Sequence, residues 1–239
     1  MKPLAFISGA TGAIGEATAK KLASSYRLLL HYHQNDKGAL KLQEELQKKT
    51  EVFIVQADFT NTAAAVAALE PYAGELELLI HNAGISRPEI FQLTEDEMLV
   101  EEMTIGLFTP AAITKRVLQS MISRKKGAVV FVSSIWGETG AAMEVIYSTV
   151  KAAQLGFVKS LAKETALSGV KVNAVAPGAV HSPMLSLYSK EETEEVKEQI
   201  PLNRFASPEE IAACIEFLAG ENSSYIHGHV LSVNGAWYT

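Results

Sequence analysis

A doubly wound α/β domain, with a parallel sheet of about seven strands covered by helices on both faces, is the fold class this sequence predicts. Three observations lead to it. Short, almost wholly apolar segments alternate with amphipathic ones along the chain. The apolar segments are rich in Val, Ile and Leu, as strands buried on both faces are. A glycine-rich turn links the first apolar segment to the first amphipathic one, as in dinucleotide-binding folds of the Rossmann type.

Taken in order, residues 4–8 read as the first strand. The turn Gly9-Ala10-Thr11-Gly12-Ala13-Ile14-Gly15 then opens a helix over 13–24. A second strand over 28–31 precedes a helix over 37–49, and a third over 52–57 precedes a helix over 62–72. The fourth strand, 76–81, runs into His81-Asn82-Ala83-Gly84, and one long helix is predicted over 95–124. Strands over 128–133 and 170–176 flank a helix over 145–166. Ser207 and Pro208 suit the N-cap and first position of a helix over 208–218, and a last strand covers 230–233. No repeat or linker interrupts the 239 residues, so one domain over 1–239 is expected.

Residues 177–204 break the alternation. They leave the carboxyl end of a strand, where ligands bind in open α/β sheets, so a substrate lid near 181–204 is expected. Its acidic stretch, Glu191 to Glu195, reads as a solvated helix face.

Composition narrows the function. The hydrophobic fraction of 48% supplies a large core, and the net charge of -6 disfavours nucleic acid or an anionic membrane as partner. The lone Cys214 excludes an intrachain disulfide, and the first residues read as neither signal peptide nor membrane span. A reducing, cytoplasmic location is therefore expected.

Glycines at a strand-to-helix turn let the backbone approach a pyrophosphate lying on the helix N-terminus. The small residues of Asn82-Ala83-Gly84 allow a flat ligand to pass close by. Asp58, ending the third strand, suits either an adenine amino group or a helix cap. No acid occupies residues 31–35, where a carboxylate would hold ribose hydroxyls; His33 and Asn35 offer donors to a 2′-phosphate instead, so NADP(H) is expected over NAD(H).

Tyr147 and Lys151 stand at i and i+4 and share one helix face. Ser134 lies thirteen residues before Tyr147, at the end of the fifth strand. A phenol can protonate a carbonyl oxygen as hydride arrives, and a hydroxyl can hold that oxygen. A cation about 4 Å away at an effective dielectric of about 20 is worth roughly 4 kcal/mol, enough to bring a phenol of pKa about 10 near neutrality. Lys151 is the expected cation.

This spacing of Ser, Tyr and Lys, after the glycine turn and Asn82-Ala83-Gly84, resembles the short-chain dehydrogenase/reductase family over essentially the whole chain. Pro177-Gly178, Ser182 and Val233-Asn234-Gly235 extend the match. The resemblance implies an NAD(P)-dependent oxidoreductase with catalytic Ser134, Tyr147 and Lys151, in which Lys151 also holds the nicotinamide ribose. It implies cofactor contacts at Gly9, Thr11, Gly12, Ala13, Ile14, Gly15, His33, Asn35, Asp58, Asn82, Ala83, Gly84, Tyr147, Lys151, Pro177, Gly178, Val180 and Ser182. It implies no metal, a homotetramer, and a carbonyl substrate that is a small molecule or is attached to a carrier or protein.

Two positions depart from the family pattern. Ala13 replaces the middle glycine of the turn, beside Gly12. Gly106 stands where the family has an Asn that kinks the helix and whose carbonyl holds a water leading to the Lys. Glycine retains the carbonyl and tolerates a kink, so Gly106→Asn is expected to change the rate little if the side chain fits.

The pattern is most similar to 3-oxoacyl-acyl-carrier-protein reductases, with Ile85-Ser86-Arg87 following the Asn-Ala-Gly motif. Ser168 replaces the Arg with which those enzymes dock an acidic carrier, while Lys125 and Lys126 retain positive charge. Residues 31–35 and Gly106 are similar to reductases of the 5-aminopentanone modification on elongation factor P, the alternative substrate. A non-catalytic NADP(H) sensor is a reading from another class, and a nucleotide-sugar epimerase lacks room for its substrate domain. Trp136, Met143, Met184, Leu187 and Tyr188 are candidate pocket residues. His227, His229 and Cys214 are expected to be structural.

Overall fold

The computed structural model describes residues 1–182 and 189–239. Seven parallel strands form one sheet: β1 Leu4–Ile7, β2 Arg27–Tyr32, β3 Val52–Gln56, β4 Leu76–His81, β5 Gly127–Val132, β6 Val170–Pro177 and β7 Val230–Val233. Their spatial order is β3-β2-β1-β4-β5-β6-β7. The order reverses between β1 and β4, whose register pairs Ile7 with Ile80. At such a reversal two loops leave the sheet in opposite directions and open a crevice at the carboxyl ends of the strands.

Alternation along each strand divides the core. Leu4 and Phe6 pack with Leu69, Ile113, Val117 and Val158, which belong to helices α3 (Thr62–Leu69), α5 (Thr109–Arg124) and α7 (Val145–Thr165). Ala5 and Ile7 pack on the other face with Leu22, Leu42 and Ile215, from α1 (Ala13–Leu22), α2 (Asp36–Leu46) and α9 (Pro208–Ala219). Each fully buried large apolar side chain contributes roughly 1.5–3 kcal/mol, and this two-sided burial explains why the strands read as unbroken apolar runs.

The predicted helix over 95–124 is not continuous. It divides into α4 (Asp96–Met103), a π-helical turn over Thr104–Phe108, and α5. Gly106 sits buried inside that turn. A glycine followed by Pro110, which lacks an N–H, removes two supports for regular α-helical bonding at this point.

A short helix, α6 (Trp136–Thr139), follows β5 and escapes sequence reading because its four residues make barely one turn. The acidic stretch lies within α8 (Lys190–Glu198), closed by a reciprocal Ser189–Glu192 capping box. The expected lid therefore includes a helix, while Met184, Leu187 and Tyr188 lie outside the described residues.

Candidate active site

The glycine turn is built from polar contacts at the end of β1. The Ser8 hydroxyl accepts from the backbone N–H groups of Asn82 and Ala83, each at 2.9 Å. The Asn82 amide donates to the carbonyls of Ser8 (3.0 Å) and Gly9 (3.1 Å). Gly9 has φ +63°, open to glycine at little cost. A Cβ on Gly15 would lie 2.2 Å from the Gly9 carbonyl oxygen, so no larger residue closes this turn. Gly12 caps α1 without a side-chain hydrogen bond, leaving the N–H groups of the first turn for an anion.

His31 completes this support. Its Nδ1 accepts from Gly9 N–H at 3.1 Å and its Nε2 donates to the Ala57 carbonyl at 3.0 Å. Burial pushes its pKa down to about 4, which keeps the ring neutral and suited to both roles. Sequence reading passed over Ser8 and His31 as strand residues; the signal available was a polar residue at the carboxyl end of a buried strand.

Ser134, Tyr147 and Lys151 converge beside the turn. They line one cleft of about 430 Å³ with Gly9, Gly12, Ala13 and Ile14. Asn82, Ala83 and Gly84 border it, as do Pro177, Gly178, Val180 and Ser182 from the far side. Val180 is held by a bridge to Ala206. The Lys151 ammonium donates to the Val132 carbonyl at 2.8 Å and lies 5.4 Å from the centre of the Tyr147 ring. The Ser133 hydroxyl donates to the Lys151 carbonyl at 3.0 Å. A Cβ on Gly137 would lie 2.7 Å from the Lys151 backbone, so α6 seats directly on α7.

The electrostatics differ from the expectation that Lys151 lowers the phenol. Burial pushes Tyr147 up to about 12, against the bond from the Ser134 hydroxyl, which pulls down. Burial also pushes Lys151 down to about 8. The ammonium lies over the phenol ring, and Lys151 is not among the groups that pull the phenol down, while burial makes its own protonation less favourable. Tyr147 thus carries its proton at neutral pH, the form required to protonate a carbonyl oxygen.

The remaining expected contacts are more peripheral. The Asn35 side-chain oxygen caps α2, accepting from Gly38 N–H at 3.0 Å. Asp58 caps no helix: Asn61 does that for α3, and Asp58 accepts from Thr60 N–H at 2.8 Å, with His33 Nε2 at 3.8 Å. Thr11 and Gly15 belong to the turn but sit outside the cleft lining. Trp136 packs edge-on against Trp237, with ring centres 5.3 Å apart. His227 accepts from Val172 N–H, a structural bond, and burial pushes the Cys214 thiol up. Lys126 pairs with Glu77 at 3.0 Å where β5 begins, at the end of the sheet opposite Tyr147.

The Gly106 carbonyl is not left to water. It accepts from the side-chain amide of Gln154 at 2.7 Å. Nor does a side chain fit: a Cβ on Gly106 would lie 2.3 Å from Val150 Cγ1. Val150 is buried and β-branched, with little rotamer freedom on a helix. Gly106→Asn is therefore expected to destabilise the fold by about 1–3 kcal/mol, read as a lower urea midpoint, instead of being silent.

Comparison with known proteins agrees with this geometry. Residues 9–237 match the family described as Enoyl-(Acyl carrier protein) reductase. The chain belongs to the short-chain dehydrogenase/reductase family. It is an NAD(P)-dependent oxidoreductase. It is 42% identical to the uncharacterized oxidoreductase YmfI of Bacillus subtilis, over 100% of each chain. It is 37% identical to the 3-oxoacyl-[acyl-carrier-protein] reductase FabG of Aquifex aeolicus, over 98% of this chain and 97% of that one. A crystal structure from Beutenbergia cavernae superposes with a TM-score of 0.93 at 28% identity, covering 98% of this chain and 96% of that one. That protein is assigned as an NAD(P) dependent gluconate 5-dehydrogenase and carries bound NADP.

Proposed function

We propose that this chain is an NADP(H)-dependent carbonyl reductase that converts a ketone to a secondary alcohol, with a 3-oxoacyl thioester on a carrier as its substrate class. The observation carrying this reading is the convergence of Ser134, Tyr147 and Lys151 with the open N-terminus of α1 on one cleft. The similarity to a 3-oxoacyl-[acyl-carrier-protein] reductase supports the substrate class.

A dinucleotide, when bound, would supply the hydride. Its pyrophosphate would be held at the uncapped N-terminus of α1, which Gly15 allows to close tightly on the Gly9 carbonyl. Ser134 holds the substrate oxygen by its hydroxyl. Tyr147, protonated at neutral pH, gives that oxygen its proton. Lys151 would hold the ribose and places positive charge beside the phenol ring. Segment 181–204 serves as the lid of this single catalytic domain, with Ser182 at its entry. The exposed Leu99, Val100 and Phe108 on α4 and the π turn support burial between subunits of a homotetramer. No helix among the described residues is long and apolar enough to cross a membrane, and a cytoplasmic enzyme is in keeping with that.

NADPH is expected to bind at least about tenfold more tightly than NADH, a difference of about 1.4 kcal/mol, because no carboxylate occupies residues 31–35 at the end of β2 to repel a 2′-phosphate. Dissociation constants for both, measured by fluorescence titration, test this. A preference for NADH contradicts it.

One observation favours the second substrate, the 5-aminopentanone group on elongation factor P. Glu144, three residues before Tyr147, is half-buried and accepts from Ser86 Oγ at 2.8 Å; Glu102 is buried nearby. These carboxylates share a small recess with Tyr147 beside the cleft, and they suit an amine-bearing ketone better than an acidic carrier. Comparing kcat/KM for acetoacetyl thioesters and an amino ketone separates the two. Cofactor binding with no turnover of either, or of any ketone in a broad panel, supports the sensor reading instead.

A further inference from the structure

We propose that Gln154 is a positioning residue for Lys151, its carboxamide joining the Gly106 carbonyl to a buried water that accepts from the Lys151 ammonium. This deepens the reductase reading and rests on it for the role of Lys151. Gln154 stands one helical turn beyond Lys151, and the i, i+3 spacing makes their side chains neighbours on α7. Both are almost wholly buried.

The orientation of the amide is fixed. The Gly106 carbonyl can only accept, so the nitrogen of Gln154 must face it, at 2.7 Å. The amide oxygen is then turned into the interior, where it has no hydrogen-bond partner among the described residues. Buried acceptors rarely remain so; a polar site of this kind holds water. Lys151 has the complementary surplus. Of its three N–H donors one meets the Val132 carbonyl, and no other protein acceptor is present among the described residues. A single water donating to Gln154 Oε1 and accepting from Lys151 Nζ satisfies both.

The surroundings explain why a glutamine does this here. The π turn directs the Gly106 carbonyl at α7, and Val150 fills the space that a side chain at 106 would need. Gln154 is thus a consequence of Gly106: the glycine admits Val150, and the longer amide reaches across to its carbonyl.

An acceptor on the water stabilises the charged form of Lys151, so removing it shifts the ionisation of Lys151 downwards. The other ionisable groups around this stretch of α7 are Tyr147 on its own length, Glu144 at its N-cap, Glu101 and Glu102 on α4, Glu138 on α6 and His81 on β4; the π turn contributes none, and Lys171 on β6 lies at the far end of the sheet.

The test reads NADPH affinity against pH, which requires no substrate and so stands apart from failure of the reductase reading. The alkaline limb at which binding weakens is expected about one pH unit lower in Gln154→Leu than in wild type, and at or above the wild-type position in Gln154→Glu, which keeps an acceptor oxygen. Weaker binding at every pH with an unmoved limb, as a packing role alone gives, overturns the proposal. If Gln154→Leu does not fold, a high-resolution crystal structure of the wild type decides. A water within hydrogen-bond distance of both Lys151 Nζ and Gln154 Oε1 supports the proposal, and a dry site or a protein donor on that oxygen overturns it.

Discussion

Tyr147→Phe is expected to lower kcat for ketone reduction by about 10²–10⁴-fold, the contribution of a positioned general acid, while cofactor affinity stays within about twofold of wild type. The substitution removes one hydroxyl and little volume. Burial holds the phenol protonated, with its pKa up to about 12, so below that range the residue enters a reduction with its proton in place. The direction of this perturbation has a further consequence. In the alcohol-oxidation direction the same residue must act as phenolate, so oxidation is expected to be slow near neutrality and to rise with pH, whereas reduction is favoured. Steady-state kinetics in both directions, with fluorescence titration of cofactor, check both parts. A near-normal kcat for Tyr147→Phe on a verified substrate rejects Tyr147 as the acid.

Lys151→Ala is expected to damage two properties at once. Loss of a charged donor at the ribose weakens cofactor binding by about tenfold to a hundredfold, the range for a charge-assisted hydrogen bond, and kcat falls by at least a further tenfold or so as the phenol loses its neighbouring cation. Stability is expected to respond in the opposite sense or hardly at all. Lys151 is fully buried, and burial alone depresses its pKa to about 8, so the folded state bears a desolvation cost that the substitution relieves. Lys151→Met keeps more of the volume and separates the cavity from the charge. Loss of function with an unchanged or raised unfolding midpoint is the diagnostic combination. If both variants simply unfold, Lys151 is serving the core.

Most of the fold was legible because burial on both faces writes itself into composition. Leu28–Leu30 and Leu78–Ile80 are apolar at every position, as only a covered parallel strand requires. The spacing of Ser134, Tyr147 and Lys151 was legible for a related reason: the end of β5 and one face of α7 fix all three. What was missed depends on contacts between distant segments. Gly106 and Pro110 are local signals of the π turn, but its seating against Val150 and Gln154 of the opposite helix, 44 and 48 positions later, is not announced by any local pattern. Asp58 and Asn61 are both plausible caps by residue type; only backbone geometry gives the cap to Asn61. His31 read as a neutral part of a strand, although it carries the hydrogen bond that pins Gly9. The pull of Lys151 on the Tyr147 proton was overestimated because sequence spacing places the two on one helix face but does not reveal the dryness that pushes the phenol up.

The central claim is that the cleft of Ser134, Tyr147 and Lys151 reduces a ketone with NADPH. The most direct test mixes the purified full chain with NADPH and acetoacetyl thioester, or an amino ketone, and follows cofactor oxidation against the alcohol formed. Equimolar NADP⁺ and secondary alcohol from wild type, with neither from Tyr147→Phe, is the expected result. Tight NADPH binding by a folded wild type that oxidises none of it across a broad ketone panel would contradict the claim.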